Sequence, residues 1–227
     1  MKLERTTSGR LPSRCLDWLA SSRLEFLRDM QSGKAMRFFS AHLPVMTTWP
    51  DLKIKKAAEA PFAFTVNMTV KGIGLLPRPD LLADYTDILE GALAASRTRP
   101  WAESLSMRIE ASARLYSNTE NFDPTVIGGL EIFAGKTAAN MRENPKVSLL
   151  YSGMENKDAS GPLSYISFQV NGFTRILEKG DPYYRFLLAS RKLFEFEKFH
   201  LFQADYPFGY LIRVEEVLDK SPFPKYR

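Results

Sequence analysis

The chain has 227 residues, 44% hydrophobic and 25% charged, which is enough to bury a substantial core and excludes a disordered polymer. No apolar run approaches the ~20 residues that span a bilayer, and the opening MKLERTTSGRLPSR lacks the apolar centre of a secretory signal, so the expected location is cytoplasmic with no membrane partner. Cys15 is the only cysteine and His42 and His200 the only histidines, which removes intrachain disulfides and cysteine-based metal clusters, and a zinc site would have to recruit carboxylates from elsewhere, so no metal is expected.

The net charge of +5 belongs to the first 60 residues, with 11 Lys/Arg against 6 Asp/Glu, while residues 61–227 carry 20 of each. No run of consecutive Lys or Arg supports a nucleic-acid partner.

Leu16, Leu19, Ala20, Leu24, Leu27 and Met30 recur at helical spacing, with Ser13 as a cap and Gly33 as a stop, so Leu11–Met30 reads as one amphipathic helix. Periodicity then fades through SAHLPVMTTWPDLKIKK, where Pro44 and Pro50 mark an irregular connector, before PFAFTVNMTV (Pro61–Val70) alternates as a strand. A second helix follows LLPRP, its stripe running from Leu81 through Tyr85 and Leu89 to Leu93, with Asp80, Asp84 and Asp87 towards its positive end. The second half is β-rich: Ser104–Tyr116, Thr125–Gly135, Lys146–Gly153, Ser164–Leu177 and Tyr206–Leu218 all read as strands. One helix, capped by Asp181 with Pro182 in its first turn, interrupts them before about Phe194. Many strands with few helices between them predict a mostly antiparallel α+β barrel with helices packed outside. The expected division is a helical extension over residues 1–58 and a barrel domain over 59–227.

The stretch GGLEIFAGKTAANMRENPKVSLLYSG (Gly128–Gly153) contains Gly-Lys-Thr after a strand. A nucleotide-binding P-loop needs a glycine where Leu130 stands, and a strand fills the space its loop requires, so that motif is rejected. The same residues suit a simpler phosphate grip. A strand delivers Gly135, Lys136 and Thr137 to the start of a short helix whose unpaired N–H groups would face an anion, and Asn144-Pro145 ends that helix. An exposed turn lysine beside a capping threonine would look the same.

This order of strand, AGKTAANMRENPKVSLLY, a variable loop SGMENKDASGPL and then YISFQVNGFTRIL with Gly172 resembles the FMN-binding split-barrel family that includes pyridoxamine 5′-phosphate oxidase, over roughly Ser104–Leu218. The resemblance implies an antiparallel split barrel, a homodimer with FMN in a groove between copies, and a flavin-dependent oxidoreductase acting on a small molecule. It implies cofactor contacts from Arg114, as the family's earlier-strand arginine, from Lys136 and Thr137 at the phosphate turn, and from Ser167 and Gln169. Thr137 stands where the family usually has a lysine and Ser167 where it has a flavin-contacting glutamine. Related barrels hold a deazaflavin or haem, for which His42 or His200 would be the available imidazoles, and a barrel acting as a non-redox ligand-binding module is a further alternative. No catalytic acid or base is assigned, because hydride transfer to a flavin rests on proximity. The chain ends without the Arg-x-His signature of the phosphate oxidase, so that particular reaction is not expected.

Overall fold

The computed structural model describes residues 5–34, 40–51, 65–156, 163–195 and 205–222. Helix α1 (Ser13–Gln31) follows Pro12 and ends at Gly33, whose φ of 68° is the left-handed turn that glycine takes without strain. Ser13 is its first residue and caps nothing; the cap position is Pro12. Helix α2 (Leu82–Ser96) lies where the leucine stripe placed it.

Ser104–Tyr116, read as a strand, is helix α3 (Trp101–Tyr116). Its buried residues, Ser104, Ile109, Ala111, Ser112, Leu115 and Tyr116, fall on one helical face, and its Ala, Leu, Met, Arg and Glu favour a helix. The short alternation in SMRIEAS was a coincidence of composition. Helices α4 (Lys136–Glu143) and α5 (Pro182–Lys192) match expectation; the Asp181 carboxylate accepts the Tyr183 N–H at 2.9 Å, as a cap should.

The strands are β1 (Arg5–Ser8), β2 (Val45–Thr48), β3 (Asn67–Val70), β4 (Ile73–Pro77), β5 (Phe122–Glu131), β6 (Lys146–Asn156), β7 (Leu163–Leu177) and β8 (Phe208–Asp219). They form one antiparallel sheet in the order β3-β2-β6-β7-β8-β5-β4, with β1 added to β8. The segment expected as a helical extension therefore contributes β1 and β2 to the sheet as well as α1. Residues 52–64, which hold the expected boundary and the start of the predicted strand at Pro61, lie outside the described residues.

This order dictates a barrel. β3 and β4 stand at opposite ends of a seven-strand path that would be about 29 Å wide if flat. Only Lys71 and Gly72 separate them, a link that spans at most ~11 Å. The sheet must curl until its two edges meet. The Lys71 N–H donates to the Pro44 carbonyl at 3.1 Å, holding the link to the start of β2. Beside it, the ion pair of Lys71 with the buried Glu131, 2.7 and 2.8 Å to the two carboxylate oxygens, ties the link to β5. The edges are joined by chain and charge without a shared ladder, which is a split barrel.

Inward-facing Met46, Val147, Leu149, Tyr151, Ile166, Phe168, Val170 and Ile212 form the core, closed by α1, whose Trp18 packs edge-on to Tyr151 at 6.5 Å and tilted against Phe168 at 6.3 Å. α2, α3 and α5 pack together beyond β5 and β8. A bulge at Asn171/Gly172 opposes one extra residue of β8, and a Cβ on Gly172 would sit 2.4 Å from the Arg213 carbonyl oxygen, so only glycine fits.

Candidate functional site

The five residues singled out from sequence fall in three places. Lys136 and Thr137 open α4, which packs against β2 and β3. Gly135 precedes it with no side-chain cap, so the first N–H groups of the helix have no side-chain acceptor from the cap position, and Lys136 beside them is exposed. Thr137 is the second helical residue, and its hydroxyl accepts from the Asn67 side chain at 2.9 Å. One turn later the Asn140 amide donates to the buried Thr48 hydroxyl at 3.2 Å. These two bonds fix α4 to the barrel rim; the threonine serves there as an anchor.

Ser167 and Gln169 lie on β7, on the outward face of the sheet. The Ser167 hydroxyl donates to the Tyr151 carbonyl at 2.9 Å, and its backbone N–H donates to the Ser221 hydroxyl at 3.0 Å. The Gln169 amide donates to Asn171 at 3.0 Å and to Ser148 at 3.3 Å.

Arg114 lies elsewhere. It is at the last turn of α3, exposed, lining a shallow cleft with Leu81, Asp84, Tyr85, Ile88 and Ser117. Its assignment to an earlier strand fails because that segment is helical, and α3 packs on α1 and α2, whereas α4 sits against β2 and β3. Arg114 and Lys136 therefore belong to different faces, and the strand geometry that would have aimed the arginine at a phosphate is missing.

No local sequence pattern marks the outward face of β2, β6 and β7. Along the outward positions of β2 (Val45, Thr47), β6 (Ser148 to Met154) and β7 (Tyr165 to Asn171), no side chain is charged, in a protein in which a quarter of residues are. Met68, Leu150, Met154 and Tyr165 are 65%, 44%, 49% and 67% exposed there. Depletion of charge with Met and Tyr in solvent is the composition of a protein–protein interface core. Asn67 links this face to α4, because Met68, the next residue of β3, points out onto it.

The histidine and cysteine resolve differently. His42 is buried; its Nε2 lies 3.2 Å from the Leu19 carbonyl, to which it donates, and its ring meets Tyr116 edge-on at 5.8 Å. Burial, with the neighbouring Arg23 charge, lowers its pKa to about 3. A neutral imidazole committed to the core cannot ligate haem, and His200 lies outside the described residues. Cys15 is a core residue of α1, its thiol pushed up by burial and then by the Asp219 carboxylate, so it is no nucleophile. The Tyr210 hydroxyl is buried without a hydrogen-bond partner among the described residues, its pKa raised by burial and by Glu131. Phe194 and Phe208, from the aromatic tract Leu193–Tyr210, are buried packing, and residues 196–204 of that tract lie outside the described residues. Among the described residues no group of three or more His, Cys, Asp or Glu could hold a metal, and no helix is long and apolar enough to cross a membrane.

No family model matches the chain, and no curated protein does. Among solved structures it is similar to HupZ of Group A Streptococcus, at 11% identity and a TM-score of 0.41 over 82% of this chain and 90% of that one. It is also similar to an FMN-binding protein from Syntrophomonas wolfei subsp. wolfei, at 11% identity and a TM-score of 0.40 over 92% and 93%. At these scores the fold rests on the chain's own topology: α+β, with an antiparallel eight-stranded sheet curled into a split barrel.

Proposed function

We propose that the protein is a homodimer that holds FMN in a groove between its two copies and works as a flavin-dependent oxidoreductase on a small molecule. The observation that carries this reading is the outward patch formed by Val45 and Thr47 of β2, Ser148 to Met154 of β6 and Tyr165 to Asn171 of β7, which has no charged side chain and has the exposed Met68 of β3 beside it, with the start of α4, which lacks a side-chain cap, at its rim. A second copy on that face would remove the exposed Met68, Leu150 and Tyr165 from water, and a two-fold axis would make the contact self-complementary.

At the rim, Lys136 and the first N–H groups of α4 supply charge and donors for a phosphate, and Asn67 and Thr137 hold that helix end in place. These residues fit the phosphate of FMN; Arg114 does not join them. The apolar face offers a wall for an aromatic ring, with the Ser167 and Gln169 side chains beside it. Bound flavin supplies the hydride acceptor, and the chain's part is to anchor, orient and exclude water.

The test is a visible spectrum of the purified protein after incubation with FMN and removal of the excess, paired with sedimentation velocity. Retained flavin bands on a dimer support the reading. A dimer that retains no flavin removes the oxidoreductase and leaves a ligand-binding or interaction module on this barrel. A monomer without flavin overturns both parts.

A further inference from the structure

The bulge in β7–β8 does more than bend a strand. By inserting one residue of β8 opposite Asn171/Gly172, it brings Glu216 level with Asn171 on the outward face, where Asn171 Nδ2 donates to Glu216 Oε2 at 2.7 Å. Asn171 Oδ1 in turn accepts from Ser148 Oγ at 2.8 Å and from Gln169 Nε2 at 3.0 Å. Four side chains from three strands are thus locked in one row, half-buried, with Leu150 and Leu218 flanking Gln169 across the ladder on either side.

Counting donors and acceptors shows what the row still wants. Gln169 spends both amide hydrogens inside it, on Asn171 and on Ser148, and Ser148 spends its hydroxyl hydrogen on Asn171. Asn171 has one N–H left. Everything else that remains is acceptor: the Gln169 carbonyl oxygen, and a Glu216 carboxylate that, among the described residues, accepts from Asn171 alone and makes no salt bridge. The arrangement is rigid, negatively charged and acceptor-rich, between two leucines. It repels phosphates and carboxylates and complements a flat group that presents several N–H donors with positive charge.

We infer that the row Ser148–Gln169–Asn171–Glu216 is a recognition site for the cationic, N–H-rich end of an aromatic or heteroaromatic small molecule, an amidine or protonated amino-heterocycle. This rests on the proposed dimer in one respect only: the two copies must leave an open groove over the row. It does not require flavin. The site stands apart from Lys136 in charge, so that one end of the groove takes an anion and the other a cation.

The probe is benzamidinium, with benzoate and benzamide as controls of opposite and zero charge. Titrations of the full-length protein, with and without FMN, are followed through the side-chain amide resonances of Gln169 and Asn171. Benzamidinium is expected to shift both, benzoate neither, and benzamide only weakly. Glu216→Gln keeps an oxygen for the Asn171 bond and the same shape, so it folds, and it is expected to weaken benzamidinium at least tenfold. Equal shifts with benzoate, no shift with benzamidinium, or unchanged affinity in Glu216→Gln overturns the inference. Resonances that are unresponsive because a second copy covers them, as shown by their response returning on dilution to monomer, also overturn it and assign the row to the dimer contact. Loss of FMN binding with benzamidinium shifts intact would sink the flavin reading alone.

Discussion

His42 makes a quantitative prediction that depends on nothing outside the core. It is buried between α1 and Tyr116, donates to the Leu19 carbonyl, and faces the guanidinium of Arg23, which itself is ringed by Phe26, Tyr116 and Phe194 at 5.2 to 5.8 Å. Both burial and that charge oppose a second proton, holding the folded pKa near 3 against 6.5 for a free imidazole. Between those values the unfolded chain binds the proton and the folded one does not, so stability falls as pH drops through 6.5 and levels off only near 3. Lowering the pH from 7.5 to 5.0 should remove about 2 kcal/mol through this one group, at ~1.4 kcal/mol per pH unit. Urea unfolding at the two pH values measures the loss, and the same pair of curves for His42→Gln isolates it: the variant starts less stable but should lack this share of the pH dependence. A histidine resonance that is present in the wild type, absent in His42→Gln and titrating between pH 6 and 7 in the folded protein would refute the reasoning, as would identical pH dependence in the two proteins.

Other changes probe other links. Lys71→Ala leaves the Glu131 carboxylate at 1% exposure without its cation and should cost about 3–5 kcal/mol, read in a thermal or urea melt. Gly172→Ala drives a methyl into the Arg213 carbonyl; it should lower the melting temperature and disturb amide exchange in β7 and β8 more than elsewhere. Lys136→Ala should weaken FMN by roughly tenfold or more, since a charge-assisted contact is worth about 1.5–3 kcal/mol, whereas Arg114→Ala should leave it unchanged. Equal losses in both variants, measured by fluorescence titration, would restore Arg114 to the phosphate.

The parts of the fold that the sequence made legible are those where a local signal was also the global one. Asp181 before Pro182, the stop at Asn144-Pro145 and the long alternation of β7 are each settled within a few residues. β2 and β4 were invisible because they are four and five residues long and are strands only by virtue of partners about 100 and 50 residues away in β6 and β5. α3 was misread because its small and long residues alternate by chance over one turn, and tertiary packing on α1 and α2 decides the period. Of the candidate site, the start of α4 was visible as Gly-Lys-Thr after a strand. The outward row was half visible: Gln169 and Gly172 were noticed singly, but Ser148 and Glu216 join them only through pairing and a bulge that no local pattern encodes.

The outward face holds two tendencies that pull against each other, and their balance decides how a second copy would sit. Exposed Met68, Leu150, Met154 and Tyr165 favour a close seal, each large apolar group gaining up to ~1.5–3 kcal/mol on full burial. Glu216 opposes one, because a carboxylate that makes no salt bridge among the described residues loses several kcal/mol when water is excluded. A flat seal over the whole face would therefore be weakened by Glu216, and Glu216→Gln would tighten the dimer. A contact confined to the apolar positions, with the row left open, would be indifferent to that change and would lose only the cationic ligand. Dimer affinity and benzamidinium affinity, measured on the same variant, move in opposite combinations under the two arrangements. The open groove is expected, because it satisfies the apolar surface without stranding the charge.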